Sequence, residues 1–223
     1  MEAVILAAGT GSRMKAGYNK VFMPLLDKTV LGHTLAAFEK AESIDKIVVV
    51  TGKEDIPRCM EIANACSKPV KVVEGGETRQ QSSLRGILAA SDEFVAIHDG
   101  ARALITPEDI DSVSELAVRY GAAAVGSPCV DTMKLAKDGF ILSTVDRNNL
   151  FKIYTPQCFK RNRLIELHNK AIKDEYEVTD DCSLYEWAGE EVKILEGDSL
   201  NIKLTTPEDI IIAEAVLKYK QNI

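Results

Sequence analysis

Short β-branched apolar runs alternate with amphipathic segments along most of this chain. EAVILAA (2–8), KIVVVT (46–51), VKVVE (70–74), FVAIHD (94–99) and AAAVGSP (122–128) read as strands. Between them lie helical patterns such as LGHTLAAFEKAES (31–43) and PEDIDSVSELAVRY (107–120). In the latter, Ile110, Val113, Leu116, Ala117 and Tyr120 recur at helical spacing, which predicts a helix with one face on a sheet. The alternation is that of βαβ units. It predicts an α/β fold with a Rossmann-like, mostly parallel sheet flanked by helices, and a single domain over 1–223.

Two local signals refine this picture. The pentapeptide TPEDI occurs at 106–110 and again at 206–210. Each copy offers Thr as N-cap, Pro at the first helical position and acids in the first turn, so each predicts a helix start. TMKLA (132–136) and FILSTV (140–145) flank Asp138-Gly139, a strong hairpin signal inside an α/β pattern. That predicts a β-hairpin arm leaving the body over 128–150.

Composition narrows the functional classes. The chain has 223 residues, 46% of them hydrophobic, enough for one substantial core. A net charge of −7 argues against nonspecific binding to nucleic acid, which needs a basic face. Met1-Glu2 offers no basic leader and no apolar run is long enough to span a bilayer, so a cytoplasmic protein without membrane contact is expected. Cys59, Cys66, Cys129, Cys158 and Cys182 are odd in number and lack CxxC spacing, which suits buried reduced thiols.

Against this acidic background the loop LAAGTGSRMKAGYNK (6–20) concentrates glycine and positive charge directly after a strand. Glycines let backbone N–H groups approach a phosphate closely, and Arg13 and Lys20 supply charge-assisted bonds. The alternative is a plain βα turn with solvated cations. Met14 breaks the dinucleotide fingerprint and no GxxxxGK[ST] is present, so dehydrogenase and P-loop readings drop. Taken alone, His98 reads as a hydrogen-bonded structural histidine, and Thr179-Asp180-Asp181 as a helix cap ahead of SLYEWAGEE, with a metal site as the alternative.

The segments EGGETRQQS (74–82), IHDGAR (97–102), DTMK (131–134), VDRNNL (145–150), TPQCF (155–159) and NIKLTTPED (201–209) follow the opening loop in order. This ordered set resembles the 2-C-methyl-D-erythritol 4-phosphate cytidylyltransferase family of the nucleotidyltransferase superfamily, from residue 3 to residue 217. The resemblance implies transfer of CMP from CTP to a polyol phosphate in non-mevalonate isoprenoid precursor synthesis. It also implies a Mg²⁺ ion (or another divalent cation) and a homodimer, while the metal ligands stay open. By the same resemblance Arg13, Lys20, Arg147 and Lys203 are the catalytic cations. Ala7, Ala8, Gly9, Gly11, Gly76, Glu77, Ser82, Asp99 and Gly100 line the nucleotide, and Asp99, Arg102, Thr132, Arg147 and Thr155 meet the acceptor. For Arg147 the plain alternative is a surface ion pair with Asp146.

Two positions depart from the family pattern: Asn19 and Ala103 stand where proline is usual, and each change removes a fixed φ. Either change could loosen its loop, the triphosphate loop at Asn19 or the acceptor loop at Ala103, without removing a charged group. Two other functions stay open at this point, a ribitol 5-phosphate cytidylyltransferase of teichoic-acid synthesis and a catalytically silent nucleotide-binding protein.

Overall fold

A computed structural model describes residues 1–9 and 19–221. The chain builds a seven-stranded sheet from β1 (Glu2–Leu6), β4 (Lys46–Thr51), β5 (Val70–Glu74), β6 (Phe94–Asp99), β7 (Ala122–Pro128), β10 (Phe151–Lys160) and β11 (Lys193–Glu196). Two minor ribbons complete the strands, β2 (Pro24–Leu25) with β3 (Lys28–Thr29), and β8 (Lys134–Lys137) with β9 (Phe140–Thr144). The order of the main sheet is β11-β7-β10-β6-β1-β4-β5. Its pairs are parallel except those of β10, which runs antiparallel between β6 and β7. The expected mostly parallel sheet is therefore present, with one reversed strand in its middle.

Helices α1 (Val30–Lys40), α2 (Ile56–Ala63), α3 (Arg79–Ala89), α4 (Pro107–Tyr120), α5 (Arg161–Lys173), α6 (Cys182–Trp187) and α7 (Pro207–Gln221) connect these strands. The two sheet faces carry separate cores. Ala3, Ile5, Ile47 and Val49 pack with Leu35, Phe38 and the α4 residues Ile110, Val113 and Ala117. Val4, Val48, Val50, Val95 and Ile97 pack on the other face with Ile87, Leu164 and Leu167. This alternation along β1, β4 and β6 is the two-sided burial that makes parallel strands read as continuous apolar runs. Tyr120 departs from the predicted α4 face: it is 51% exposed, with Arg119 and Lys193 against its ring.

Both TPEDI copies start helices. Thr106 Oγ1 accepts from the Asp109 N–H at 3.2 Å, and Thr206 Oγ1 from the Asp209 N–H at 3.3 Å. Helix α3 lies unusually close to the sheet at Gly86, where a Cβ would fall 2.3 Å from Val4 Cγ1 and 2.7 Å from Val50 Cγ2. All five cysteines are free thiols; Cys66 is half-buried and the others are buried. Burial raises the Cys158 thiol to about 12, so it is inert at neutral pH.

The predicted arm is present. Asp138 (φ 51°) and Gly139 (φ 84°) make the turn between β8 and β9 with the two positive φ values that a two-residue hairpin loop requires. Every residue of both strands is exposed, including Leu135, Phe140, Ile141 and Leu142.

Candidate active site

Strands β1, β5, β6, β7 and β11 all end at one edge of the sheet, so the loops that follow them share one rim. Ligands of open α/β sheets bind at this carboxyl edge. Short backbone bonds fasten the rim: the Ala7 N–H donates to Val50 O, the Gly75 N–H to Thr51 O, the Gly100 N–H to Leu6 O and the Leu204 N–H to Ala101 O.

The loop after β5 is shaped by two glycines. A Cβ on Gly75 would stand 2.8 Å from both Ala8 Cβ and Ser82 Oγ, and one on Gly76 would stand 2.3 Å from Gln81 Cβ. Ser82 is buried. Its hydroxyl accepts from the Gly76 N–H at 3.0 Å, which folds the loop back on α3. Glu77 is exposed at the tip, its N–H donating to Gln81 Oε1 at 2.8 Å. The two glycines thus make this turn a tight cradle packed on Ala8, Ser82 and Gln81, and among the described residues a Cβ on Gly9 would meet nothing within 4 Å. Gly11 and Arg13 lie outside the described residues.

Next to this cradle Asp99 ends β6 and gathers positive charge. Lys203 Nζ lies 2.8 Å from Asp99 Oδ2, Arg102 Nε 3.5 Å from the same oxygen and Arg79 Nε 3.6 Å from Oδ1. Burial alone would raise the carboxyl, but Lys203, Arg79 and Arg102 together outweigh it and hold the group down at about 2. Asp99 is therefore an anion at physiological pH, paired with Lys203 and Arg102 and with Arg79, which it shares with Asp181. Lys203 remains partly exposed, while Arg102 is tucked under the rim, donating to Asn201 O at 2.8 Å and lying over the Tyr154 ring.

A buried hydrogen-bond chain seats this pair. The Asp99 N–H donates to Thr155 Oγ1 at 3.0 Å, Thr155 Oγ1 lies 3.0 Å from His98 Nδ1, and His98 Nε2 lies 3.2 Å from Arg102 O. The Arg102 carbonyl can only accept, so Nε2 carries the proton and Nδ1 accepts from the threonine hydroxyl. Burial drives the His98 pKa down to about 3, which fixes a neutral ring with both nitrogens engaged. His98 is the structural histidine that the sequence suggested. Thr155 is 3% exposed and its hydroxyl is spent on this chain, so its geometry fits seating Asp99 rather than reaching outward.

Two residues of this site were missed in the sequence. Arg79, at the first position of α3, also donates through Nη1 to Asp181 Oδ2 at 2.8 Å. Asp181 is 1% exposed and further accepts from Ser83 Oγ at 2.7 Å, with His168 Nε2 at 3.1 Å. Burial opposes its ionisation, yet Arg79 and these bonds hold the carboxyl well below the usual range. The expected cap before α6 is real but belongs to Asp180, whose Oδ1 accepts from the Ser183 N–H at 3.2 Å. Asp181 makes no capping bond and turns inward. Inward-facing charge cannot be told from capping charge by spacing alone.

At the arm's root, Arg147 starts a short 3₁₀ turn and donates to Val130 O, while Asp146 Oδ1 accepts from the Asn148 N–H. Arg147 thus bonds the arm's other root and not the neighbouring acid. Arg147 and Thr132 are exposed on either side of the hairpin. The two departures sit in defined surroundings. Asn19 keeps a proline-like φ of −69° through side-chain bonds, and Ala103 is buried with Leu25, Leu104 and Leu204.

A parallel-sheet rim where a tight glycine turn meets a cluster of fixed cations and carboxylates is an arrangement suited to phosphorylated ligands, as in nucleotidyltransferases. The family model for 2-C-methyl-D-erythritol 4-phosphate cytidylyltransferase matches residues 1–219, and the chain belongs to that family. The Caldanaerobacter subterraneus cytidylyltransferase of that name is 45% identical over 98% of this chain and 99% of its own. The enzyme from Geobacillus kaustophilus is 42% identical over 97% and 96%. The crystal structure of 4-diphosphocytidyl-2C-methyl-D-erythritol synthase from Anaerococcus prevotii superposes with a TM-score of 0.88 at 30% identity, covering 97% of this chain and 95% of that one. The chain is a cytidylyltransferase, and the methylerythritol assignment stands over the ribitol alternative. No described helix is long and apolar enough to cross a membrane.

Proposed function

We propose that the rim around Asp99 transfers CMP from CTP to 2-C-methyl-D-erythritol 4-phosphate, in a cytoplasmic homodimer. The observation that carries this assignment of residues is the charge cluster at the rim: Lys203, Arg102 and Arg79 converge on the ionised Asp99, with Arg79 shared with the buried Asp181. An acceptor phosphate oxygen attacks the α-phosphorus. The bond to the bridging oxygen breaks, and pyrophosphate leaves with the electron pair. The nucleophile is already ionised near neutrality, its second pKa being about 6, so no base is needed. That fits a site whose histidine is neutral, buried and fully bonded.

The work left to the protein is to bring anionic groups together. Lys203 with Arg13 and Lys20 engages the triphosphate. Ala7, Ala8, Gly9, Gly11, Gly76, Glu77, Ser82 and Gly100 frame base and ribose. Asp99, Arg102, Thr132 and Arg147 hold the acceptor, with Thr155 seating Asp99. Among the described residues no three His, Cys, Asp or Glu side chains gather to cage a metal. Asp99 is already paired with Lys203, Arg79 and Arg102, so a Mg²⁺ ion would be carried by substrate phosphate oxygens rather than by this carboxylate. Such an ion neutralises charge on the phosphates as they approach one another.

The hairpin over 128–150 acts as the dimer arm, its exposed apolar residues covered by a second copy. The test of the activity is pyrophosphate release from CTP, UTP, ATP or GTP with Mg²⁺ and either methylerythritol phosphate or ribitol phosphate. Turnover with CTP and methylerythritol phosphate is expected. Turnover with ribitol phosphate alone would overturn the acceptor, and none with any pair would leave a silent nucleotide-binding protein.

A further inference from the structure

Asn19 immediately precedes Lys20, and its side chain makes an unusual set of bonds for a loop residue. It is 8% exposed. Its Nδ2 donates to Ala7 O at 2.6 Å and to Asp55 Oδ2 at 3.2 Å, while its Oδ1 accepts from the Val21 N–H at 3.3 Å. Both amide donors and the carbonyl are therefore used. The partners come from three separate segments: the exit of β1, the residue before α2 and the 3₁₀ turn Lys20–Phe22. Helix α2 braces that turn a second time, since Arg58 Nη2 donates to Phe22 O at 3.3 Å and the guanidinium lies 4.5 Å over the Phe22 ring.

Simple capping of the turn accounts for the bond to Val21 only. It leaves unexplained why both donors of a buried amide reach across to Ala7 O and Asp55. The backbone supplies the missing reason: Asn19 is extended, with φ −69° and ψ 121°, and its φ is the value that a proline ring would impose covalently. Here tertiary hydrogen bonds hold a dihedral that has no ring to fix it.

We infer that Asn19, clasped by Ala7 O and Asp55, is a positioning residue that sets the direction in which the chain enters Lys20. Through Ala7 O it ties that lysine to the exit of β1, beside the glycine turn. The inference rests on the triphosphate role proposed for Lys20. Released from the clasp, the chain would enter the turn over a range of directions, and small displacements of a charged group are costly when two anions must be brought together.

The test measures kcat and KM for CTP, together with thermal stability, in Asn19→Ala, Asn19→Pro, Asp55→Ala, Asn19→Pro/Asp55→Ala and Lys20→Ala. Asn19→Ala is expected to lower kcat by about 10- to 100-fold with a smaller change in KM and in melting temperature. Asn19→Pro restores the dihedral without the bonds and should recover turnover to within about threefold of the parent. Asp55→Ala should lower kcat in the parent but have no further effect in the Asn19→Pro background. Parental kcat in Asn19→Ala, an Asn19→Pro no better than Asn19→Ala, or an equal Asp55→Ala loss in both backgrounds would each overturn the clasp. An inactive Lys20→Ala beside a fully active Asn19→Ala defeats this inference alone. A fully active Lys20→Ala defeats the triphosphate role as well.

Discussion

Lys203 Nζ lies 2.8 Å from Asp99 Oδ2, which joins the loop after β11 to the end of β6 across the reversed strand β10. The two partners stand in different surroundings: the Lys203 side chain is 39% exposed and that of Asp99 only 11%. Their removal should therefore differ in kind. Lys203→Ala leaves Asp99 with Arg79 and Arg102, so melting temperature should move little while turnover falls by about two to three decades, as for loss of one transition-state donor. Asp99→Ala leaves Lys203 and Arg102 without their carboxylate, while Arg79 keeps Asp181, and should also destabilise the fold, by about 3 kcal/mol. Parallel turnover assays and urea titrations would show the contrast. Equal stability loss in both variants would sink it.

His98 makes a prediction about pH. Burial lowers its pKa from 6.5 to about 3, so between those values the unfolded chain binds a proton that the native protein does not. Stability then rises with pH across that window and falls as the solution is acidified. By pH 5 the loss should reach about 2 kcal/mol. Asp99 adds a second loss at lower pH, because its folded value of about 2 lies below the unfolded 3.8 and its contribution disappears between them. Urea midpoints from pH 7 to pH 4 test this. His98→Gln should lose the upper slope, and a parent whose stability is flat from pH 7 to pH 5 would refute the buried neutral ring.

Local chemistry carried well from sequence to structure. The Asp138-Gly139 turn, the paired TPEDI helix starts and the strands β1, β4, β5, β6 and β7 depend on nearest neighbours, and they stand where the pattern placed them. What was not legible depends on distant partners. Arg79 meets Asp181 across 102 positions of sequence, and no spacing rule connects them. Antiparallel β10 sits among parallel strands because the chain returns from the arm in the opposite direction, a consequence of topology and not of residue pattern. Tyr120 followed the helical period but lies at the last residue of α4, where the sheet no longer covers it.

Gly86 sets how closely α3 approaches the sheet. A methyl group there would enter the space of Val4 Cγ1 and Val50 Cγ2, both on buried, close-packed strands. Gly86→Ala should destabilise by about 1–3 kcal/mol, as expected for overpacking, despite the better helix propensity of alanine. Helix α3 also carries Arg79 and Ser82, so its displacement should weaken CTP binding. Calorimetric binding on the folded fraction tests the second effect. A Gly86→Ala variant as stable as the parent would show that α3 can shift without penalty.

The arm offers the most demanding test of how the site is divided between subunits. A two-stranded hairpin is marginal alone, and β8 and β9 leave Leu135, Phe140, Ile141 and Leu142 exposed, so another surface is needed to cover them. If a second copy provides it reciprocally, Thr132 and Arg147 at the arm's roots serve the neighbour's acceptor, while Lys20 and Lys203 stay with their own subunit's nucleotide. Lys20→Ala and Arg147→Ala subunits, each inactive as homodimers, should then complement one another when mixed. Each heterodimer would hold one site with both residues intact, so random exchange should restore roughly a quarter of parental turnover. Verified heterodimers with no recovery would place Arg147 in its own subunit's site, and a fully active monomer would remove the arm from catalysis.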